Sequence, residues 1–261
     1  MAYRVLITRS QASAQPLLRA LEKLNTLEKV NIQASLLPLL EIKPLAEQPE
    51  WHEIRSNLEQ YDTLIAISPN AANVGMDYLS HYWTQWPDSL QAWAVGRSTA
   101  LTLKSWGLIA QYPRTAQHSE GLLASLEPIK FTIKQCLILK GLGGRETLEQ
   151  WLKKHHIRTH AMNLYERTHT QHSKAHIRAI LNPAPDLVSI TSSESLLAFI
   201  KLKNHLDTDI FQTKLLVPSN RLFQIATELG FSALYQARGV DTQAQIEAIQ
   251  AIMRPMGTNH D

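Results

Sequence analysis

Five places in this 261-residue chain carry residue types that hold anions mainly through backbone and hydroxyl groups. In each, a short apolar run ends in small polar residues and a helical pattern starts at once. LIAIS runs into PNAANVGMDYL and offers Ser68 and Asn70, while AWAV runs into GRSTALTLKSW and offers Gly96, Arg97 and Ser98. LILK leads to GLGGRETLEQWL, with Gly141 and Arg145. LVSIT leads to SSESLLAFI, with Ser192 and Ser193, and KLLV to PSNRLFQIATEL, with Pro218, Ser219 and Asn220. The first turn of a helix has unpaired N–H groups and the positive end of the helix dipole, so each junction aims a donor cluster past a strand tip. Ser, Asn and Gly are also ordinary N-caps, and singly each of these residues reads as a cap. Together they imply a ligand with many anionic groups. None forms a Walker loop, and GLGGRE lacks the spacing of a dinucleotide fingerprint.

Other reactive groups are few. Tyr165, in NLYERT, stands where a polar stretch begins, and a phenol facing a cleft there is a neutral donor able to act as acid or orienting group. His172 and His176 are four apart on an expected helix, with His155, His156, His160 and His169 nearby. No HExxH or CxxC accompanies them, so they read as surface histidines and no metal site is expected. Cys136, the single cysteine, lies in the apolar run QCLILK and reads as a buried strand residue. The six tryptophans read as packing residues, with Trp83 and Trp86 exposed.

The elements that must position these groups alternate. A strand at Arg4–Thr8 is followed by a helix with Leu17, Leu18, Leu21 and Leu24 at helical spacing, and then by a strand over Ile32–Leu39. Pro44 and Pro49 mark a linker, and strand–helix pairs then continue to Tyr165. The polar segment ERTHTQHS makes a second linker, after which the alternation resumes to a last helix near Thr242–Met253. Such alternation implies right-handed crossovers and parallel sheets covered by helices on both faces. With linkers near 40–45 and 163–170, residues 1–40 and 170–261 form one discontinuous α/β domain and residues 45–163 an inserted one. Two chain crossings make a hinge with a cleft between the domains, a common ligand site. Apolar residues are 44% and charged residues 19% of a chain with formal net charge +3 and no Lys/Arg run, so a nucleic-acid partner is not expected. The start, MAYRVLITRS, has no apolar stretch suited to a signal peptide or membrane span.

In their order and spacing, several of these pieces resemble the uroporphyrinogen-III synthase family. They are VLITRSQASAQPLLRAL, PLLEIKPL, YDTLIAISPNAANVG, AWAVGRSTALTL, HSEGLL, LILKGLGGRETLEQWL with NLYERT, PDLVSITSSESLLAFI and LLVPSNRLFQIATELGF. The resemblance covers nearly the whole chain. It implies two parallel-sheet α/β domains, one discontinuous, joined by a two-stranded linker with the active cleft between them. It implies closure of hydroxymethylbilane to uroporphyrinogen III with loss of water and inversion of ring D through a spiro intermediate, without cofactor or metal, by a cytoplasmic monomer that could receive its substrate from hydroxymethylbilane synthase. Carried over by position, the family's functional tyrosine corresponds to Tyr165 and its small hydroxylated residue to Ser219. The tips near Ser68, Gly96, Arg97, Arg145 and Ser192 correspond to product-binding positions. Two other readings share the alternation: a nucleotide-sugar glycosyltransferase, for which acidic ribose or diphosphate contacts are not evident, and a non-enzymatic two-domain binder of a polyanionic small molecule.

Overall fold

The structure is a computed structural model that describes residues 2–28, 30–115, 118–143, 146–205 and 209–253. Along the chain the elements are β1 (Tyr3–Ile7), α1 (Gln11–Glu28), β2 (Ile32–Leu36), β3 (Leu40–Pro44), α2 (Pro49–Ser56), β4 (Thr63–Ala66), α3 (Pro69–Ser80), β5 (Gln91–Ala94) and α4 (Arg97–Ser105). There follow β6 (Ala110–Gln111), α5 (Ser119–Leu126), β7 (Gln135–Lys140), α6 (Thr147–Lys154), β8 (Arg158–Asn163) and β9 (Tyr165–His169). The last are α7 (Lys174–Leu181), β10 (Leu187–Ser189), α8 (Ser193–Ile200), β11 (Leu215–Val217), α9 (Asn220–Glu228), β12 (Leu234–Gln236) and α10 (Thr242–Met253).

The described chain divides into two compact units, one of residues 1–41 with 168–261 and one of residues 42–167. The first unit holds the sheet β12-β11-β10-β1-β2 and the second the sheet β6-β5-β4-β7-β8. Every pairing in both sheets is parallel. Parallel strands are buried on both faces, which explains why their sequences are short unbroken apolar runs. Alternate residues then serve opposite layers. In the first unit Val5, Ile7, Leu187 and Leu216 pack on the side of Leu17, Leu21 and Ile249, while Leu6, Val188, Leu215 and Val217 pack with Leu196, Phe199 and Leu222. In the second unit Leu64, Ala92, Leu137 and Leu139 meet Met76, Leu79 and Leu103, whereas Ile65, Trp93, Cys136 and Ile138 meet Leu122, Leu126, Leu148 and Leu152.

Strand order reverses once in each sheet. From β1 the chain steps outward to β2, whereas β10, β11 and β12 step outward on the other side of β1. From β4 it steps to β5 and β6 on one side, whereas β7 and β8 lie on the other. Helices leaving neighbouring strands toward opposite faces open a crevice at the carboxyl end of the sheet, where open α/β folds bind ligands. These switch points fall between β1 and β10 and between β4 and β7.

The two polar stretches expected as linkers are strands. β3 and β9 pair as a two-stranded ribbon. β3 has no fully buried residue and β9 only Tyr165, so their order owes much to hydrogen bonding to each other. The strand expected over Ile32–Leu39 is correspondingly cut into β2 and β3 around Pro38, which has no N–H to give to a ladder.

Candidate active site

At the switch point of the second unit, β4 and β7 remain paired to their ends, with the Ile67 N–H donating to the Leu139 carbonyl at 3.1 Å. Ser68 follows and caps α3, its Oγ accepting from the Ala71 N–H at 3.0 Å. On the neighbouring strand the chain passes through Lys140 into Gly141. Leu164 makes the corner between β8 and β9. Its N–H donates to the Lys140 carbonyl at 2.7 Å, its own carbonyl accepts from the Leu45 N–H at 3.0 Å, and the Leu142 N–H donates to the Tyr165 carbonyl at 2.7 Å. This corner lays the Tyr165 ring on Gly141 so closely that a Cβ at Gly141 would stand 2.6 Å from Tyr165 Cζ. The Tyr165 hydroxyl and Ser68 Oγ are 3.0 Å apart and share a hydrogen bond that either can donate.

Three residues selected from sequence, Ser68, Gly141 and Tyr165, are thus brought together across nearly 100 positions. The phenol is not the open donor that a linker tyrosine suggested. Tyr165 is 2% exposed and belongs to the core, while Ser68, at the other end of the hydrogen bond, is partly exposed. Lys140, next in sequence to Gly141, is buried and paired with Glu149. Gly96 caps α4 on the next tip, where the Val95 N–H donates to the Ala66 carbonyl at 3.1 Å, and Arg97, Ser98 and Asn70 are exposed on first turns. Arg145 lies outside the described residues.

In the first unit the tips of β10 and β11 are open. Ser192 and Ser195 form a capping box on α8, each Oγ accepting from the other's N–H at 3.1 Å. Ser219, exposed, caps α9 by accepting from the Leu222 N–H at 3.3 Å. A pocket of about 210 Å³ lies between these tips, lined by Thr191, Ser192, Ser193, Ser219 and Arg221 over Leu222 and Ile225. Pro218 and Asn220 flank Ser219. Sequence reasoning passed over Arg221 and also the tip of β1, where ITRSQAS repeats the same strand-to-helix junction with an arginine in it.

Residues 4–247 match the profile of the family described as uroporphyrinogen-III synthase HemD. The chain belongs to the uroporphyrinogen-III synthase family. It is 30% identical over 251 residues to the uroporphyrinogen-III synthase of Escherichia coli K12, covering 94% of this chain and 99% of that one. It is 29% identical over 251 residues to the protein of that name from Salmonella typhimurium LT2, with the same 94% and 99% coverage. Its fold is like those of the uroporphyrinogen-III synthetase of Helicobacter pylori 26695 (TM-score 0.60, 16% identity, 97% and 100% coverage) and a mutant uroporphyrinogen III synthase of Thermus thermophilus (TM-score 0.56, 16% identity, 97% and 100% coverage). The family is one of cyclising hydro-lyases of haem biosynthesis that act on a small molecule.

Other groups singled out in the sequence play quieter parts. Cys136 is fully buried in β7, and burial pushes its thiol pKa up, away from thiolate chemistry. His172 Nε2 lies 2.6 Å from the Pro38 carbonyl and its ring packs on His176. Among the described residues no group of three or more His, Cys, Asp or Glu is placed to hold a metal ion. Trp83 and Trp86 are half-buried rather than exposed; their indole N–H groups donate to the Arg55 and Trp106 carbonyls, each at 2.6 Å. No helix among the described residues is long and apolar enough to cross a membrane.

Proposed function

We propose that this chain closes hydroxymethylbilane to uroporphyrinogen III in tetrapyrrole biosynthesis. Membership of the family across residues 4–247 carries the reading. The substrate is a linear tetrapyrrole with eight carboxylates. Capped helix N-termini at the carboxyl edges of both sheets suit such arms without a large net charge. In this reading the tips of both units hold the substrate, with Ser68, Asn70, Gly96, Arg97, Ser98, Gly141 and Arg145 contributed by one and Ser192, Ser193, Pro218, Ser219 and Asn220 by the other.

The chemistry begins when the C–O bond of the terminal hydroxymethyl group breaks and water leaves, which makes an azafulvenium cation. The substituted carbon of ring D attacks that cation and gives a spiro intermediate. The spiro centre fragments at its other methylene bridge, which re-attaches at the free carbon of ring D, and a ring proton departs. The sum is loss of one water, redox-neutral, so the route calls for no cofactor. A fixed cation beside the reacting carbon would oppose the azafulvenium, whereas neutral hydroxyls do not. Tyr165 with Ser68, and Ser219, are the hydroxyls assigned to hold or protonate the leaving group. Most of the catalysis is positional, because the protein must favour attack by the substituted carbon over the free one. The protein acts as a cytoplasmic monomer, and transient contact with hydroxymethylbilane synthase would spare an unstable substrate from solvent.

The test is to generate hydroxymethylbilane in situ, add the protein, oxidise, and separate the uroporphyrin isomers. An excess of isomer III over the spontaneous isomer I is expected. Isomer I alone from a folded sample would overturn the reading and favour a non-enzymatic binder of polyanions.

A further inference from the structure

The other switch point, between β1 and β10, holds an arginine whose partners are incomplete. Thr8 Oγ1 donates to the Ser189 carbonyl at 2.7 Å and ties the end of β1 to β10. Ser189 Oγ donates to Gln245 Oε1 at 2.8 Å, and Gln245, wholly buried, donates through Nε2 to the Gly239 carbonyl at 3.0 Å. Asp241 Oδ1 accepts from the Ala244 N–H at 3.1 Å at the start of α10. A buried polar network therefore fixes the Gly239–Asp241 segment over the end of the sheet. Arg9 reaches this segment with one bond, Nη2 donating to the Val240 carbonyl at 3.1 Å. Its Nε is buried and has no hydrogen-bond partner, and no carboxylate lies within ion-pair distance of it among the described residues.

Arg9 as a whole is half-buried, so its Nε is shut off from water while its guanidinium end remains open to a ligand. Burial pulls the guanidinium pKa down and the charge of Asp241 only partly offsets this. Arginine is the residue whose rigid fork matches a carboxylate in two bonds. The same carboxyl edge carries two further arginines, Arg221 beside the pocket of Ser192 and Ser219, and exposed Arg238 after β12. The second unit's switch point has instead a phenol and a serine.

We propose that Arg9 binds a carboxylate arm of the substrate at the β1–β10 switch point and so anchors the tetrapyrrole to the first unit, away from the reacting carbon. Gln245 is a positioning residue that, through the Gly239 carbonyl, holds the segment whose Val240 carbonyl Arg9 meets. The inference rests on the proposed function for the identity of the carboxylate donor.

Arg9→Gln and Arg9→Lys, assayed with hydroxymethylbilane generated in situ, test it. The expected result is a KM about tenfold or more above wild type for R9Q, as for loss of a charge-assisted hydrogen bond, with a smaller rise for R9K and kcat nearly unchanged. Raising ionic strength should lift KM less steeply in R9Q than in wild type, because one screened attraction is already gone. The melting temperature of the substrate-free variants should stay within about 2 °C of wild type, since a half-buried cation with one hydrogen bond has been removed. KM within twofold of wild type in both variants, with isomer III still produced, would overturn the assignment. So would a fall in Tm accompanied by equal losses in kcat and kcat/KM, which marks a structural role. Wild-type protein that yields only isomer I would instead sink the proposed function. Anaerobic titration of wild type and R9Q with uroporphyrinogen III, an octacarboxylate, would then still decide whether Arg9 binds such anions.

Discussion

Each switch point lies beside the first strand of a parallel sheet, with one strand stepping outward from β1 and two from β4 before the order reverses, and the two are furnished in opposite ways. In the second unit the crevice between β4 and β7 is packed shut over a neutral pair, with the Tyr165 ring pressed on Gly141 and its hydroxyl on Ser68. In the first unit the edge is open, with a pocket lined by serines and Arg221 and with Arg9 set on a single carbonyl. A cation-forming reaction on a polyanionic substrate needs both kinds of surface, one that grips carboxylates and one that leaves a developing positive charge unopposed. On the proposed function, grip would fall mainly to the first unit and chemistry mainly to the second, with Ser219 the first-unit hydroxyl that could serve either, and substitutions can break that division of labour.

The largest effect is expected at Gly141. An alanine methyl has no room beside Tyr165 and must push the ring or the β7 tip away. Overpacking of this kind costs about 1–3 kcal/mol. Displacing the phenol by a fraction of an ångström or more should lower the rate of isomer III formation by about 10²-fold. Thermal melting and isomer chromatography on G141A would read both. An active, unshifted variant would mean that the contact with Tyr165 is incidental. Tyr165→Phe comes next. It keeps the ring and removes the hydroxyl, so stability should fall by only about 1 kcal/mol and turnover by about 10–100-fold, with isomer III still the product. Unchanged turnover would remove Tyr165 from the mechanism. In that case Ser68→Ala would decide whether the exposed member of the pair acts alone.

The reach of the sequence follows from the same division. Parallel strands buried on both faces write themselves as apolar runs, so both sheets and the helices between them are legible from LIAIS, AWAV, LILK, LVSI and KLLV. The β3–β9 ribbon is implied by the family resemblance rather than by the local pattern, because β3 has no fully buried residue and β9 only Tyr165. The Ser68–Tyr165 bond spans 97 positions and leaves no local pattern. Gly141 looked like an anion cradle in a glycine-rich loop, yet its lack of a side chain is explained by an aromatic ring supplied from elsewhere in the unit. Arg9 was within reach. It follows an apolar strand and precedes a helix like the other tips, but an arginine after a first strand gives no sign that its partners are missing.

Ser219 offers a smaller effect that sharpens the comparison. As the cap of α9 it should cost about 1 kcal/mol on replacement by Ala and almost nothing on replacement by Thr. If the first unit only grips, S219A should raise KM modestly and leave kcat within about threefold, because what it loses is made equally in ground and transition states. A kcat loss as deep as that of Tyr165→Phe would place chemistry in the first unit as well and end the division proposed here.

The smallest effect lies at the opposite, amino-terminal edges of the sheets, where Tyr3 at the start of β1 and Tyr61 before β4 each have their pKa pushed up to about 12, first by burial. In the second unit the Tyr61 hydroxyl is bonded to His160 Nδ1 at 2.7 Å, while in the first the Tyr3 hydroxyl is buried without a partner. Both phenols hold their protons more tightly folded than unfolded. Their contribution is therefore complete below pH 10, the ordinary phenol value, and is lost as pH rises from there through about 12. The two part company at neutral pH. Tyr61→Phe breaks a made bond and should destabilise by about 1 kcal/mol, while Tyr3→Phe removes a hydroxyl that has nothing to bond and should be neutral or stabilising. Melting curves of the two variants between pH 7 and pH 11 would show Y61F below wild type and Y3F at or above it, with both less sensitive to alkali than wild type. Equal losses at pH 7 would mean that the Tyr3 hydroxyl finds a partner in solution, and the contrast between the two edges would not extend beyond the tips.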